Sequence, residues 1–169
     1  MIICFDWDNT LVKKRVSEYS MKKRKEIFKL NSESYKEQIT ELSERLNLEE
    51  NIIRELFSEV FSILYLNYFS EEDFISSINN LKELANKHTL ILASGNHEKV
   101  LNFLIQKYNL PFEKVYTTDN LAKLKKVNFD ISQIDMVVGD GKEDKELAEK
   151  FNAKYIYLDA NQDLSELDL

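Results

Sequence analysis

Residues 2–6, IICFD, form a short apolar run that ends in an acid, and Asp8 places a second carboxylate two positions beyond Asp6. Carboxylates leaving a buried strand are costly unless something positive holds them. A hard cation answers that need, because Mg²⁺ takes oxygen ligands and is typically held by one or two protein carboxylates together with phosphate and water. Asp140, set between Gly139 and Gly141 after another apolar run, supplies a further carboxylate. A carboxylate can also attack phosphorus to give an acyl phosphate. The attack brings an anion onto an anion, so it needs a metal and a cationic side chain to screen the charge. A second carboxylic acid can protonate the leaving oxygen and then deprotonate the hydrolytic water. Asp6 and Asp8 suit that division of labour. Ser94 stands just before Gly95, Asn96 and a helical stretch, where its hydroxyl and nearby backbone N–H groups would hold phosphate oxygens.

The elements that must position these residues follow from periodicity. Apolar runs at 2–6, 89–93, 115–117, 134–138 and 155–158 read as strands buried on both faces. Amphipathic helices fall at 97–108, with Val100, Leu101, Leu104, Ile105 and Tyr108 on one face, and at 142–152, with Leu147, Ala148 and Phe151. A helix over 71–87 begins after Ser70, with Asp73 in the place of a capping-box acid. Alternating strands and helices give an α/β, doubly wound parallel sheet. All three glycines, Gly95, Gly139 and Gly141, sit at carboxyl ends of expected strands, where backbone turns sharply or approaches a ligand. Ligands bind at that edge of such sheets, so Asp6, Ser94 and Asp140 are offered to one crevice.

Residues 12–69 break the alternation. Three helical patterns fit there, at 13–30, 33–46 and 49–69, the third carrying Ile52, Ile53, Leu56, Phe57, Val60, Phe61, Leu64, Tyr65 and Tyr68 along one side. The expected organisation is a core of 1–11 and 70–169 with a helical module of 12–69 inserted after the first strand. In the first of these helices Lys23 falls on the apolar stripe of Val16, Tyr19, Ile27 and Leu30, where it can snorkel or reach toward the site. Trp7 should point away from the site and pack, and His97 is expected exposed in the first turn of its helix.

DWDNT at 6–10 resembles motif I of the haloacid dehalogenase superfamily, Asp-x-Asp-x-Thr. LILAS at 90–94 is similar to motif II, and MVVGDGKED at 136–144 resembles motif IV, Gly-Asp with a second Asp four positions on. The motifs stand in the family's order. The resemblance implies a Rossmann-like three-layer sheet of order 5-4-1-2-3 with a helical cap. It makes Asp6 the nucleophile and a Mg²⁺ ligand, and Asp8 the general acid and base with its carbonyl on the metal. Asp140 becomes a metal ligand, Asp144 a water-mediated metal partner or the group that orients the motif III lysine, Thr10 a support for the turn, and Asn96 a further supporting residue. Asn9 replaces the usual Gly, and Asn tolerates left-handed backbone better than most residues. The phosphate-binding lysine of motif III falls among Lys123, Lys125 and Lys126, with Lys114 a further candidate. Lys123 is favoured because it precedes Asp140 by 17 positions, as in compact members of the family.

The function implied is a phosphatase acting on a small phosphorylated metabolite through an aspartyl-phosphate. A phosphomutase or other phosphotransferase would carry the same motifs, and a non-catalytic interaction protein would keep only the fold. Retention of Asp6, Asp8, Ser94 and Asp140 together argues against the last. A dehalogenase is disfavoured by the acid at Asp8, and a receiver domain by the position of its phosphorylated Asp on the third strand. The net charge of −7 argues against nucleic-acid binding, although residues 12–30 hold eight Lys or Arg against Glu18 and Glu26. With 43% hydrophobic residues, one cysteine, an acidic start and no run long enough to span a bilayer, the chain reads as a cytoplasmic protein without a membrane partner, monomeric or homodimeric.

Overall fold

The computed structural model describes residues 1–117, 129–158, 162 and 164–166. Within these, five strands form one parallel sheet: β1 (Ile2–Phe5), β2 (Thr89–Ser94), β3 (Lys114–Thr117), β4 (Met136–Gly139) and β5 (Lys154–Tyr157), in the order β3-β2-β1-β4-β5. This is the expected order read from the other edge. The register pairs Phe5 with Leu92 on one side and with Val138 on the other, so the carboxyl ends of the three central strands lie level.

Burial on both faces explains the continuous apolar runs. Cys4, Ile91, Ala93 and Val137 pack on one face with Leu147 and Ala148 of α6 (Lys142–Phe151). The alternate residues Ile3, Phe5, Leu90, Leu92 and Val138 are buried as well, so the opposite face is covered too. Two further helices belong to this part of the chain, α4 (Ile78–Ala85) and α5 (Glu98–Tyr108), and α5 buries Val100, Leu101 and Leu104 as expected.

The helix expected over 71–87 is instead two pieces. The Ser70–Asp73 capping box forms, but it closes a single 3₁₀ turn, Glu71–Asp73. Phe74 then turns extended to bridge Val12, and the Ile75 N–H donates to the Leu11 carbonyl at 2.9 Å. A helix cannot pass through residues pinned that way. It restarts at Ile78, where Ser77 accepts from the Asn80 N–H.

The chain divides into two compact units, one of Met1–Lys14 with Ser70–Leu169 and one of Arg15–Phe69. The second is all helical: α1 (Arg15–Ile27), α2 (Tyr35–Leu46) and α3 (Glu50–Tyr68). Leu30, Ile39, Leu42, Ile53 and Phe57 form its core. Its loops are tied by side chains. Glu41 accepts from the Asn31 and Ser32 N–H groups, which hold its carboxyl down at about 2, and Arg45 donates to the Phe28 and Lys29 carbonyls.

The apolar stripes are narrower than the periodicity suggests. Ile53, Phe57, Phe61 and Tyr65 are buried on α3, whereas Ile52 and Tyr68 are exposed, because a helix packed on one side buries only the i, i+4 ridge. On α1, Tyr19 and Ile27 are exposed and Tyr19 stacks on Tyr68. Lys23 does not lie in the core; it pairs with Glu26 at 2.9 Å. The buried cation is its neighbour Arg24, set over the rings of Tyr35 and Phe57 with one nitrogen 3.3 Å from Gln38 Oε1. Burial pushes the Arg24 guanidinium down.

Candidate active site

The turn after β1 is built by the Trp7 carbonyl, which accepts from Leu11 and Val12 N–H at 2.9 Å each, and by the Asn9 N–H, which donates to the Val12 carbonyl at 2.6 Å. The geometry forces Asn9 into the left-handed region at φ 64°, the conformation its substitution for glycine requires. Trp7 is fully buried against Phe74, which leaves Asp6 and Asp8 on the other side of the strand end. Thr10 is buried, and its hydroxyl lies at 3.5 Å from Asp6 Oδ2, a long hydrogen bond.

Asp6, Asp140 and Asp144 each bring a carboxylate oxygen to within 4.8 Å of the other two. Asp144, expected at one remove from a metal, thus stands in the cluster itself. It also accepts from the Gly141 N–H at 3.0 Å, so the same carboxylate caps α6. Gly139 makes room for it: a Cβ at that position would lie 2.3 Å from Asp144 Cγ and Oδ2. Among the described residues no glycine has positive φ; the left-handed positions are Asn9, Lys29, Asn47, Asn109 and Asn152. Gly139 is there for space.

Three acids so close repel one another. Burial, then the charges of Asp144 and Asp8, push the Asp6 carboxyl well above the usual carboxylate range. Burial likewise takes Asp144 up to about 7, against the opposing pull of the Gly141 N–H and with a further push from Asp140. Such a site calls for protons or a cation. Oxygen donors alone, presented from the ends of β1 and β4 and from the first turn of α6, match a hard divalent ion, and Mg²⁺ fits.

Two amides hold the acids from outside this cluster. Asn9 Nδ2 donates to Asp140 Oδ2, and Asn96 Nδ2 donates to Asp8 Oδ2 at 2.9 Å. The Asn96 amide can lie only one way round, because its Oδ1 accepts the His97 N–H at 2.7 Å. Tyr155 completes the frame: its hydroxyl lies 3.1 Å from the Gly139 carbonyl and 3.2 Å from that of Gly141, on either side of Asp140. Asn96 was expected only as a supporting residue, without its contact to Asp8; the Asn9 contact and Tyr155 were not legible as part of the site. Asn9 carried a signal only as the residue standing in place of glycine.

Ser94 is buried at the end of β2, and its hydroxyl accepts the Asn96 N–H at 3.1 Å, which leaves its own proton to donate. The N–H groups of Asn96 and His97 are engaged within the loop. Gly95 lies between Ser94 and Asn96 and is partly exposed. His97 is 7% exposed rather than surface-lying, because the loop turns it inward ahead of α5. Lys123, Lys125 and Lys126 lie outside the described residues. Lys114 is engaged elsewhere, 2.8 Å from Asp130.

No family model and no curated protein matches the sequence. Solved structures do match. The structure of CbbY from Rhodobacter sphaeroides in complex with phosphate is similar over 99% of both chains, at 15% identity and a TM-score of 0.63. A structure of YfnB from Bacillus subtilis bound to magnesium is similar over 93% of this chain and 87% of its own, at 10% identity and a TM-score of 0.57. A haloacid dehalogenase-like family hydrolase from Streptococcus pneumoniae is similar over 92% of this chain and 83% of its own, at 15% identity and a TM-score of 0.55. With its parallel sheet in the order β3-β2-β1-β4-β5 and its acids at the ends of β1 and β4, the chain has the fold of the haloacid dehalogenase-like hydrolases.

Proposed function

We propose that the protein is a Mg²⁺-dependent phosphohydrolase that acts on a small phosphorylated substrate through an acyl phosphate on Asp6. The observation that supports this most is the placement of Asp6 and Asp8 at the end of β1, with Ser94 at the end of β2, Asp140 just past β4 and Asp144 in the first turn of α6 beside them. The likeness to a structure in complex with phosphate and to another bound to magnesium agrees with it.

Asp6, Asp140 and Asp144 would hold the metal, with the Asp8 carbonyl. The metal would screen the charge between carboxylate and phosphate. The Asp6 carboxylate attacks phosphorus, and the bond from phosphorus to the leaving oxygen breaks. Asp8 gives that oxygen its proton. Asn96 orients the carboxyl for this step by donating to Asp8 Oδ2. Asp8 then takes a proton from water as the water attacks phosphorus, and the Asp6 carboxylate leaves. Ser94 donates to a phosphate oxygen, and Lys123 supplies the cationic contact. The helical unit Arg15–Phe69 serves as the cap that selects substrate.

The test has two arms. Hydrolysis of a generic aryl phosphate should vanish in EDTA and return with Mg²⁺; full activity in EDTA would remove the metal. A fluoroberyllate complex, which mimics an acyl phosphate, should show beryllium bonded to the Asp6 carboxylate. Beryllium on another side chain, or full activity in Asp6→Asn, would overturn the covalent route.

A further inference from the structure

Asn9 does two things that are normally separate. Its backbone takes the left-handed conformation at φ 64° that closes the turn after β1, and its side chain reaches Asp140, 131 positions away, where Nδ2 donates to Oδ2. A glycine would satisfy the first requirement and leave the second unmet. The contact has one sense only. A carboxylate oxygen must receive a donor, so the amide presents its N–H₂ and occupies Oδ2.

Asp140 is also fixed through its backbone. The Tyr155 hydroxyl lies within donating distance of the Gly139 and Gly141 carbonyls and shares its one proton between them, and the Gly139 carbonyl additionally accepts the Leu158 N–H at 3.2 Å. The turn that carries Asp140 is thereby held on both sides, and its side chain is held at one oxygen.

We infer that Asn9 and Tyr155 are positioning residues that hold Asp140 as a single-oxygen ligand, through Oδ1, and so select a small octahedral cation over a large one. The inference rests on the metal reading proposed above. Its physical basis is the difference between the two common hard cations. Mg²⁺ demands near-ideal octahedral geometry at short distance, whereas Ca²⁺ accepts six to eight oxygens and readily takes a carboxylate through both of its oxygens. An amide on Oδ2 competes with that two-oxygen mode, because it takes one of that oxygen's lone pairs. Groups that orient a ligand in this way typically change metal affinity by roughly 10- to 100-fold when removed.

Isothermal titration of the full chain with Mg²⁺ alone and with Ca²⁺ alone tests this without reference to turnover. Asn9→Gly keeps the left-handed turn and deletes only the amide. It should weaken Mg²⁺ by roughly tenfold or more while Ca²⁺ binding holds or tightens, so that the ratio of the two affinities falls by at least that factor. Tyr155→Phe removes the hydroxyl and keeps the ring; it should weaken both ions and move the ratio less. A merely structural role would shift melting temperature and leave the ratio where it was. An unchanged ratio in Asn9→Gly, with wild-type protein binding Mg²⁺, overturns the inference and leaves the metal reading standing. Absence of Mg²⁺ binding in the wild type overturns both. Should Asn9→Gly fail to fold, an unchanged Mg²⁺ affinity in Tyr155→Phe overturns the clamp on its own.

Discussion

At the scale of single residues, the two acids of the DWDNT segment have different neighbours, and the neighbours assign their work. Asp6 is pressed by Asp144 and Asp8 and belongs to the acidic cluster. Asp8 turns instead to Asn96, whose amide is locked by the His97 N–H. Asn96 thereby fixes the orientation of the Asp8 carboxyl. Asp8→Asn should therefore slow turnover by roughly 10²- to 10⁴-fold, as loss of a general acid and base does, with the far-ultraviolet circular dichroism unchanged. Turnover at the wild-type rate would reassign the role. The acids and Ser94 were legible because the chemistry needs those side chains at strand ends, and strand ends show in the sequence. Asn96 was legible as a supporting residue, but which acid each amide holds was not. The contact between Asn96 and Asp8 joins residues 88 positions apart, and that between Asn9 and Asp140 joins residues 131 apart, so each depends on strand register that no local pattern encodes.

At the scale of elements, the five strands could be read from their apolar runs because parallel strands buried on both faces leave no other way to write them. The helix over 71–87 was misread because its start signal is real but serves a single turn; the Val12–Phe74 bridge that ends it is a tertiary contact. Arg24 was hidden for a related reason. Four basic residues in a row, Lys22 to Lys25, look alike in sequence, and only the packing of α1 on α3 determines which of them is buried. The end of β4 illustrates the reverse case, where a glycine's presence was clear and its reason was not. Gly139→Ala would place a Cβ 2.3 Å from the Asp144 carboxyl and 2.7 Å from Asp144 Cβ, so the Asp144 side chain must leave both the Gly141 N–H and the acidic cluster. Loss of that cap should cost about 1 kcal/mol in chemical denaturation, and Mg²⁺ affinity should fall with it. A variant with wild-type stability and Mg²⁺ binding would show that the close approach is not needed.

At the scale of the whole molecule, the acidic cluster ties stability to pH with a sign opposite to that of most carboxylates. Burial and neighbouring acids raise Asp6, and burial takes Asp144 up to about 7. Between the ordinary aspartate range near 4 and that value, the folded state holds protons that the unfolded chain has released. Stability changes with pH in proportion to protons bound by the unfolded state less those bound by the folded one. That difference is negative here, so without metal these groups make the fold less stable as pH rises from about 4 through about 7. A divalent cation binds the deprotonated folded site and adds stability that grows with the ratio of its concentration to its dissociation constant. Protons compete for the same oxygens, so the rise in melting temperature produced by Mg²⁺ should be small at pH 5 and largest at pH 8. Thermal melts across that range, with Mg²⁺ and with EDTA, measure it. Asp144→Asn removes one of the raised acids; in EDTA it should flatten the decline toward pH 7, and with Mg²⁺ it should shrink the gain. A Mg²⁺ increment that is the same at every pH would show that protons and metal do not share this site.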